Sequence, residues 1–350
     1  MSTSFLRLAL QRRPTSLHRD RIAAAAVAFV GFAIYGAGPA AAHCFAGARF
    51  FPATLAIDDP CVADELSLPT VSSFKTGDLP ANRELDISGE FSKRITEDFG
   101  VSIGRTYTRL WVPGGPNASG WQNLETTFKY QFLTWPSSEF VISAGASVEW
   151  GRTGNASVGA EKFHTITPTL WVGKGMGDLP SSFGALRAFA LTGQVGYAIP
   201  SWRRTVTISS IDPDTGDIDF DEERHPHFLQ YGGSIQFSMP YLKANVIDLG
   251  LPDLINRMVP LVEASFRTPV RNVVTNANVW DENNRTTGTV NPGIILVADK
   301  FQIGAEAIIP INRASGKGIG WVAQLHWYLD DIFPTTIGRP IIPISARIGQ

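Results

Sequence analysis

Charged and polar side chains recur at alternate positions in several stretches of this 350-residue sequence, and they are its best candidates for chemistry. The set comprises Glu90, Arg94, Glu125, Lys129, Glu149, Glu263, Arg267, Glu306 and His326. Carboxylates and cations that line one water-filled space create a transverse field, which selects solutes by charge and size. The alternative is that these groups pair with one another and only fill a narrow interior. We predict that the set lines the path of a solute.

Catalysis is a weaker interpretation of the same residues. His326 could act as a general base beside a serine, as in a membrane lipase or esterase. The sequence contains neither a G-x-S-x-G nor an H-E-x-x-H motif, and it offers His326 no convincing nucleophile partner. We therefore predict no catalytic residues, with a lipase or esterase as the weakest alternative.

The sequence contains two weak candidates for a metal or cofactor site. His225-Pro226-His227 follows the acidic run Asp221–Glu223, and such a cluster could bind a divalent metal. A polar run of this kind is more often a solvated loop, so we predict no metal site. Gly173, Gly175 and Gly177 are not a phosphate loop, because no helical pattern follows them. We predict no cofactor.

The elements that must position the charged set are β-strands. In Phe140–Trp150, apolar side chains alternate with small or polar ones, so the two kinds fall on opposite faces. This pattern recurs at Leu85–Ile95, Leu124–Thr134, Arg187–Ile199, Phe228–Tyr241, Met258–Val270, Phe301–Ile311 and Ile319–Leu329, and more weakly at Phe99–Trp111, Thr165–Gly175 and Thr289–Ala298. Because Leu85–Ile95 leads into a short periplasmic turn, one earlier strand must run outward before it, and Glu65–Lys75 is the candidate. Strands of this length can cross a bilayer when tilted. Phe237, near the middle of its strand, is predicted to face lipid.

Connector lengths indicate a direction for the strands. Glu97-Asp98, Pro136-Ser137 and Asp299-Lys300 are short, whereas Pro113–Gly120, Arg152–Phe163, Ser201–Pro226 and Arg271–Gly288 are long and polar. Outer-membrane barrels have short periplasmic turns, long outer loops and an even number of strands. We therefore predict an all-β, transmembrane, antiparallel up-and-down β-barrel of about 12 strands, with 10 or 14 as alternatives. Asp248–Arg257, in the one long periplasmic connector, is expected to form a short helix.

The ends of the chain are expected to lie outside the barrel wall. Residues 1–42 have an arginine-rich start, an apolar run and an A-x-A site, which predict a cleaved signal peptide; a signal anchor is the alternative. Residues 43–64 are a periplasmic or lumen-tucked extension, residues 65–333 the barrel, and residues 334–350 a periplasmic tail. Alternatively, Arg339–Ile348 forms another strand. Cys44 and Cys61 either pair in an oxidising compartment or stay free.

The net charge and the tryptophan positions indicate which partners the chain is expected to have. Removal of residues 1–42 takes five Arg and one Asp from a chain of formal charge −2, which leaves −6 and argues against a nucleic-acid partner. Tryptophans near strand ends are expected to form the interfacial girdle of a barrel in outer-membrane lipid. They are Trp111, Trp121, Trp135, Trp150, Trp171, Trp321 and Trp327.

Two stretches carry a family resemblance. Arg83–Gly104 (RELDISGEFSKRITEDFGVSIG) and His326–Ile341 (HWYLDDIFPTTIGRPI) resemble an uncharacterised group of proteobacterial outer-membrane proteins. That group is loosely related to transporters associated with aromatic-hydrocarbon (phenol) degradation. The resemblance implies a Gram-negative outer-membrane channel or transporter for small solutes, among them hydrophobic or aromatic compounds. The alternative is a structural or ligand-binding surface barrel without transport.

Overall fold

The computed structural model describes residues 44–211, 217–273 and 283–343. The predicted signal peptide and the last part of the predicted tail lie outside these residues. In chain order the strands of the described residues are β1 (Phe45–Ala46), β2 (Arg49–Phe50), β3 (Glu65–Lys75), β4 (Arg83–Arg94), β5 (Phe99–Trp111), β6 (Ala118–Trp121), β7 (Leu124–Trp135), β8 (Phe140–Trp150), β9 (Thr165–Gly175), β10 (Phe189–Pro200), β11 (Arg204–Ile211), β12 (Ile218–Arg224), β13 (His227–Phe237), β14 (Met258–Arg271), β15 (Thr287–Val297), β16 (Phe301–Pro310) and β17 (Gly320–Tyr328).

Twelve of these strands form a closed antiparallel barrel. β1 pairs only with β2, β6 adds a short pairing to the end of β5, and β11 and β12 form a separate hairpin. The other twelve pair with their neighbours in the wall, and β17 pairs with β3 to close it, from Trp321 opposite Ser73 to Tyr328 opposite Glu65. The predicted all-β, 12-stranded barrel is confirmed, including the first strand that the connector pattern required.

The two faces of the wall differ as the alternation predicts. Outward apolar side chains are exposed in the isolated chain, as on Ile87, Phe128, Val195 and Ile303. Inward positions are polar, and several of them, such as Ser143 and Gln236, are buried. An apolar belt around a polar interior places this wall in a lipid bilayer, because each backbone polar group is paired within the closed sheet.

The connectors define two rims of the barrel. We call the end that carries residues 95–98, 136–139, 176–188, 238–257 and 298–300 the turn rim, and the opposite end the loop rim. The loop rim carries the long connectors and the β11–β12 hairpin. Two turn-rim connectors are long. The expected one contains α1 (Met239–Asn245) and α2 (Asp253–Asn256), and a second, not expected, contains the 3-10 segment Ser181–Ala188. The helix expected at Asp248–Arg257 is therefore only the four residues of α2.

The end of the chain covers part of the turn rim. β17 is followed by α3 (Leu329–Ile332), and the backbone N–H groups of Ile341 and Ile342 then bond to the carbonyls of Arg94 and Ile95. Residues 339–343 form no strand; residues 344–348 of the alternative extra strand lie outside the described residues. None of the helices in the described ranges is both long and apolar enough to cross a membrane.

Two predictions about aromatic residues were wrong. Phe237 is the last residue of β13, at the turn rim, where it packs 4.8 Å from Phe189 and against α1. Its outward face was read correctly, but it does not lie near mid-strand. Trp171 points into the barrel and is only 4% exposed, so it does not belong to the girdle. In β9 the apolar Ile166, Leu170 and Val172 alternate with Thr167, Thr169 and Trp171, so the alternation itself puts Trp171 on the inner face.

Candidate functional site in the barrel lumen

Residues 44–64 lie inside the barrel, and we call this segment the plug. A disulfide joins Cys44 to Cys61 and closes the segment into a loop. Its apolar core contains Phe51 and packs against the inward side chains of Val141 and Ala190 on the wall. The pairing alternative for the two cysteines is therefore the one that the structure shows.

Inward glycines make room for the plug. A Cβ on Gly173 would lie 2.8 Å from Cγ of Pro60, and a Cβ on Gly304 would lie 2.6 Å from Cδ1 of Leu55. Both distances are shorter than carbon atoms tolerate without a shift. The wall is thus shaped at these two positions to accept the plug in close contact.

The plug is fixed to the turn rim through Arg49. The buried guanidinium donates to Oε2 of Glu139 at 3.0 Å and to the carbonyls of Arg187 and Ala188 at 2.6 and 3.1 Å. It also stacks 3.5 Å from the ring of Tyr241, whose hydroxyl donates to Oε1 of Glu139 at 2.5 Å. Burial, helped by this bond to the carboxylate, raises the pKa of Tyr241 to about 12.

The turn around Glu139 is shaped for this contact. Glu139 has φ +48°, a left-handed conformation that a side-chain-bearing residue adopts at a cost. The conformation allows the Glu139 carboxylate to meet Arg49, Tyr241 and the N–H of Gly177 at once. The strain is thus offset by three bonds, one to the plug and one to each of two other connectors.

Farther into the lumen, Glu263 holds the backbone of the plug. Oε2 of Glu263 accepts the N–H groups of Leu55 and Ala56, each at 2.8 Å, and Oε1 accepts that of Ile57 at 3.3 Å. Successive N–H groups that converge on one carboxylate form an anion-binding nest. Since Glu263 is fully buried, the bonds are shielded from water and its charge needs them.

The plug reaches mid-height of the wall at Asp58 and then returns. The N–H of Asp58 donates to Oε1 of Gln194 at 3.1 Å, and the Oδ2 of Asp58 lies 2.6 Å from Nζ of Lys129. On the return leg the N–H of Val62 donates to Gln131. The plug therefore fills the turn-rim half of the lumen.

Arg94 belongs to the base of the plug. Its Nε lies 2.8 Å from Oδ2 of Asp64, the last plug residue, and its Nη2 donates to the carbonyl of Gly338. Lys93 contacts the same carboxylate at 2.6 Å. Arg94 is only 4% exposed. It thus joins the plug, the wall and the tail.

A cavity of about 630 Å³ lies between the plug and the wall. Its lining extends from Lys93 and Gly100, near the turn rim, to Asn123 and Glu149, near the loop rim. Five residues of the predicted set lie on it: Glu90, Glu125, Lys129, Glu149 and His326. This lining is polar and carries more carboxylates than cations.

The other predicted residues lie elsewhere. Arg267 borders a second cavity of about 330 Å³, with its guanidinium 3.5 Å from the ring of Phe228. Glu306 is buried and faces Glu263 and Asn291. Glu263 and Arg94 contact the plug, as described above. The structure thus places five members of the set on the open cavity, Arg267 on a second cavity, Glu263 and Arg94 at the plug, and Glu306 beside Glu263 within the wall.

His326 does have a serine beside it. Oγ of Ser67 lies 2.8 Å from Nδ1 of His326, and Oε2 of Glu65 lies 3.3 Å from Nε2. Ser67 is the direct cross-strand neighbour of His326 where β17 meets β3. Strand pairing alone brings the two together, so the cluster is explained by closure of the barrel.

The histidines of the long loop are not gathered into a metal site. Nε2 of His225 lies 2.7 Å from Oγ1 of Thr205, and its ring packs 4.2 Å from that of Phe163; burial lowers its pKa. Asp221, Glu222 and Glu223 are exposed on β12. Among the described residues, the group with metal-ligand spacing is Cys44, Asp59 and Cys61, and its sulfurs are in the disulfide.

The contacts of the plug are not predicted by the periodicity of the strands. Arg49, Asp58 and Glu139 lie outside the alternating strands, so the periodicity that found the lumen residues could not detect them. The spacing of Cys44 and Cys61 was the available signal, because a disulfide would fold the extension into a compact loop.

These faces and this lumen define the class: the protein is an outer-membrane-type transmembrane β-barrel with an internal plug. Neither a comparison with protein-family models nor a search of curated proteins gave a match.

Solved barrels with which the chain shares structural similarity include the NanC porin, at 7% identity over 74% of this chain and 97% of that one, with a TM-score of 0.41. The KdgM porin is 11% identical over 75% of this chain and 98% of that one, with a TM-score of 0.39. The β domain of the Bordetella autotransporter BrkA is 9% identical over 76% and 98%, with a TM-score of 0.44.

Proposed function

We propose that the protein is an outer-membrane channel or transporter that passes small solutes through a polar, mixed-charge lumen. One observation carries the proposal: the lining of the 630 Å³ cavity runs beside the plug from residues near one rim to residues near the other. In a lumen that is only packed shut, buried carboxylates are expected to pair with cations. Here Glu90, Glu125 and Glu149 line the cavity and accept hydrogen bonds from Ser92, Ser147 and Asn123, but no ion pair among the described residues includes them.

The cavity lining bears on the solute. The resemblance noted above implies hydrophobic or aromatic compounds. The carboxylates and amides on the cavity favour water-soluble solutes instead, because an apolar solute would leave those groups unsolvated. Of the predicted set, Glu90, Glu125, Lys129, Glu149 and His326 are the residues that such a solute would meet.

The proposal includes the route of export. Residues 1–42 act as a cleaved signal peptide, and the turn rim, with the tail of residues 334–350, faces the periplasm. The disulfide of the plug suits that compartment, because it is oxidising. The lipid of a Gram-negative outer membrane surrounds the apolar belt.

A second candidate function is a ligand-binding surface barrel without transport. The observation that favours it is the number of buried contacts that hold the plug, at Arg49, Glu263 and Asp64. A plug that never moves would leave the cavity as a binding pocket open toward the loop rim.

Conductance in planar bilayers separates the two. The measurement compares the full-length mature chain, the Glu263→Ala variant and a version that lacks residues 43–64. We expect low conductance from the first and larger unitary steps from the other two, since both loosen or remove the plug. If all three fold as heat-modifiable barrels yet pass no ions, the channel proposal fails and the binding barrel is favoured.

A further inference from the structure

The plug and the wall together already hold one ammonium group. Nζ of Lys129 lies 2.6 Å from Oδ2 of Asp58, donates to the carbonyl of Asp59 at 2.8 Å, and sits 4.8 Å from the centre of the Trp171 ring. Carboxylate, carbonyl and aromatic face are the three kinds of group that recognise an organic ammonium ion. The Lys129 side chain thus shows which ligand chemistry the cavity accepts.

The surrounding charge is not balanced by Lys129 alone. Glu125 stands directly opposite Glu149 on the pair β7–β8, and both side chains point into the cavity. Like charges at directly opposed positions of a sheet repel each other. No ion pair among the described residues includes Glu90, Glu125 or Glu149, while Lys93, the cation nearest the turn rim, is bound to Asp64.

Independent of the carboxylates, a buried acceptor on the same cavity lacks a donor. Gln324 is 9% exposed and lines the cavity, its Nε2 donates to Thr70, and its Oε1 has no hydrogen-bond partner. A buried amide oxygen without a partner costs free energy. After a rotation of the Gln324 amide toward the cavity, a ligand that brings N–H donors would satisfy it.

We propose that this cavity is a binding site for small primary ammonium ions, above all diamines. The inference rests on the proposed function and names its solute class. A volume of about 630 Å³ falls within the range of small-molecule sites and admits a chain of several methylenes. Glu125 and Glu149 take one ammonium group, and Asp58 takes the other in competition with Lys129.

Competition at Asp58 links the ligand to the plug. The ion pair between Asp58 and Lys129 joins the tip of the plug to β7. A diamine that occupies the Asp58 carboxylate releases Lys129 from it and removes one tie between plug and wall. Binding of the cation is thus expected to loosen the tip of the plug while the contacts at Arg49 and Glu263 remain.

Isothermal titration calorimetry of the full-length mature protein in detergent at pH 8 tests the site. The probes are 1,4-diaminobutane, neutral 1,4-butanediol and anionic succinate. We expect the diamine alone to bind, and both Glu125→Gln and Glu149→Gln to weaken its affinity at least about tenfold, as loss of a charge-assisted contact does. Asp299→Asn makes the same chemical change on the exposed turn rim and should leave the affinity unchanged.

Hydrogen exchange provides the second readout. Saturating diamine should raise exchange at Asp58 and Asp59 but not at Leu55–Ile57. The inference is overturned if the diamine does not bind, or if it binds equally well to heat-modifiable Glu125→Gln and Glu149→Gln barrels. Binding without conductance would leave the inference standing and sink the proposed channel; conductance without diamine binding would do the reverse.

Discussion

Arg49 and Glu139, 90 residues apart in the sequence, form a buried ion pair of 3.0 Å between the plug and the turn rim. The side chain of Arg49 is 0% exposed and that of Glu139 is 6% exposed. The guanidinium also donates to two carbonyls of the 3-10 segment Ser181–Ala188, so one side chain links the plug to two connectors. Such a pair orients the plug in the barrel.

Loss of Arg49 should release the base of the plug. Arg49→Ala leaves the Glu139 carboxylate buried without its cation, which typically costs about 3–5 kcal/mol. We expect residues 44–54 to gain hydrogen exchange, measured by mass spectrometry, while the wall strands stay protected. Arg257→Ala is the matched control, because Arg257 pairs with Asp253 and Asp299 on the exposed side of the same rim. Equal protection of the plug in both variants would show that the buried pair does not hold it.

The cluster of Arg49, Glu139 and Tyr241 should be insensitive to pH across the neutral range. The phenol of Tyr241 has a pKa raised to about 12, against about 10 in an unfolded chain. The neutral form is therefore favoured by folding, and its contribution is complete below about pH 10 and lost as the pH rises through 12. Exchange in the plug, corrected for the intrinsic rate, should stay flat from pH 7 to 9. Tyr241→Phe should raise that exchange at every pH; a rise with pH in the wild type alone would contradict the assignment.

The disulfide should stabilise the plug more than the barrel. Cys44 and Cys61 are 17 residues apart, and closing a loop of that size contributes about 3 kcal/mol in the chain-entropy model. The Cys44→Ser, Cys61→Ser double variant should lose protection in residues 44–61 and keep its heat-modifiable mobility. Reduction of the wild type should reproduce this result. Unfolding of the whole barrel on reduction would mean that the plug is required for the wall to persist.

The lipid face can be tested at a true mid-strand position. Val195 lies in the middle of β10, points outward and is 43% exposed in the isolated chain. Val195→Arg should lower the free energy of unfolding in liposomes by about 2–4 kcal/mol, the cost of a basic residue near the bilayer midplane. Val206→Arg is the control, because Val206 is also exposed, at 50%, but lies on the β11–β12 hairpin outside the wall. A similar cost for both variants would place the bilayer elsewhere.

The wall could be predicted because its physics is periodic. Phe140–Trp150 carries the alternation in full, and the parity of the connectors required Glu65–Lys75 although its own pattern is weak. The plug could not be predicted in the same way. Arg49 contacts Glu139 and Ala188, 90 and 139 residues away, and Asp58 contacts Gln194, 136 residues away, so these contacts leave no local period.

The nine predicted lumen residues show the same limit. Alternation fixed the face of Glu125 and of Glu263, since each strand keeps its register. The alternation does not predict that Glu125 faces an open cavity while Glu263 is covered by the plug, because that difference depends on where residues 44–64 lie. Trp171 was assigned to the lipid interface as an aromatic residue, although the alternation in β9 places it on the polar face, where Lys129 lies over its ring.

Glu263 provides the sharpest test of what holds the plug in the lumen. Its carboxylate accepts three successive N–H groups, from Leu55 to Ile57, whereas no hydrogen bond among the described residues joins the neighbouring Glu306 to the plug. Glu263→Gln replaces the charged acceptor of a nest with a neutral amide that cannot accept through both atoms. We expect exchange at residues 55–57 to rise at least about tenfold, as loss of charge-assisted bonds predicts.

Glu306→Gln makes the identical change on β16, which β15 separates from Glu263 on β14. Glu306 is buried, as Glu263 is. The substitution changes a carboxyl that faces Glu263 and makes no hydrogen bond to the plug among the described residues, so exchange at residues 55–57 should stay unchanged. The contrast between the two variants separates the nest from a general effect of acidic groups in the lumen. If both raise exchange equally, the plug responds to the charge of the pair, and the three N–H bonds to Glu263 are not what retains it.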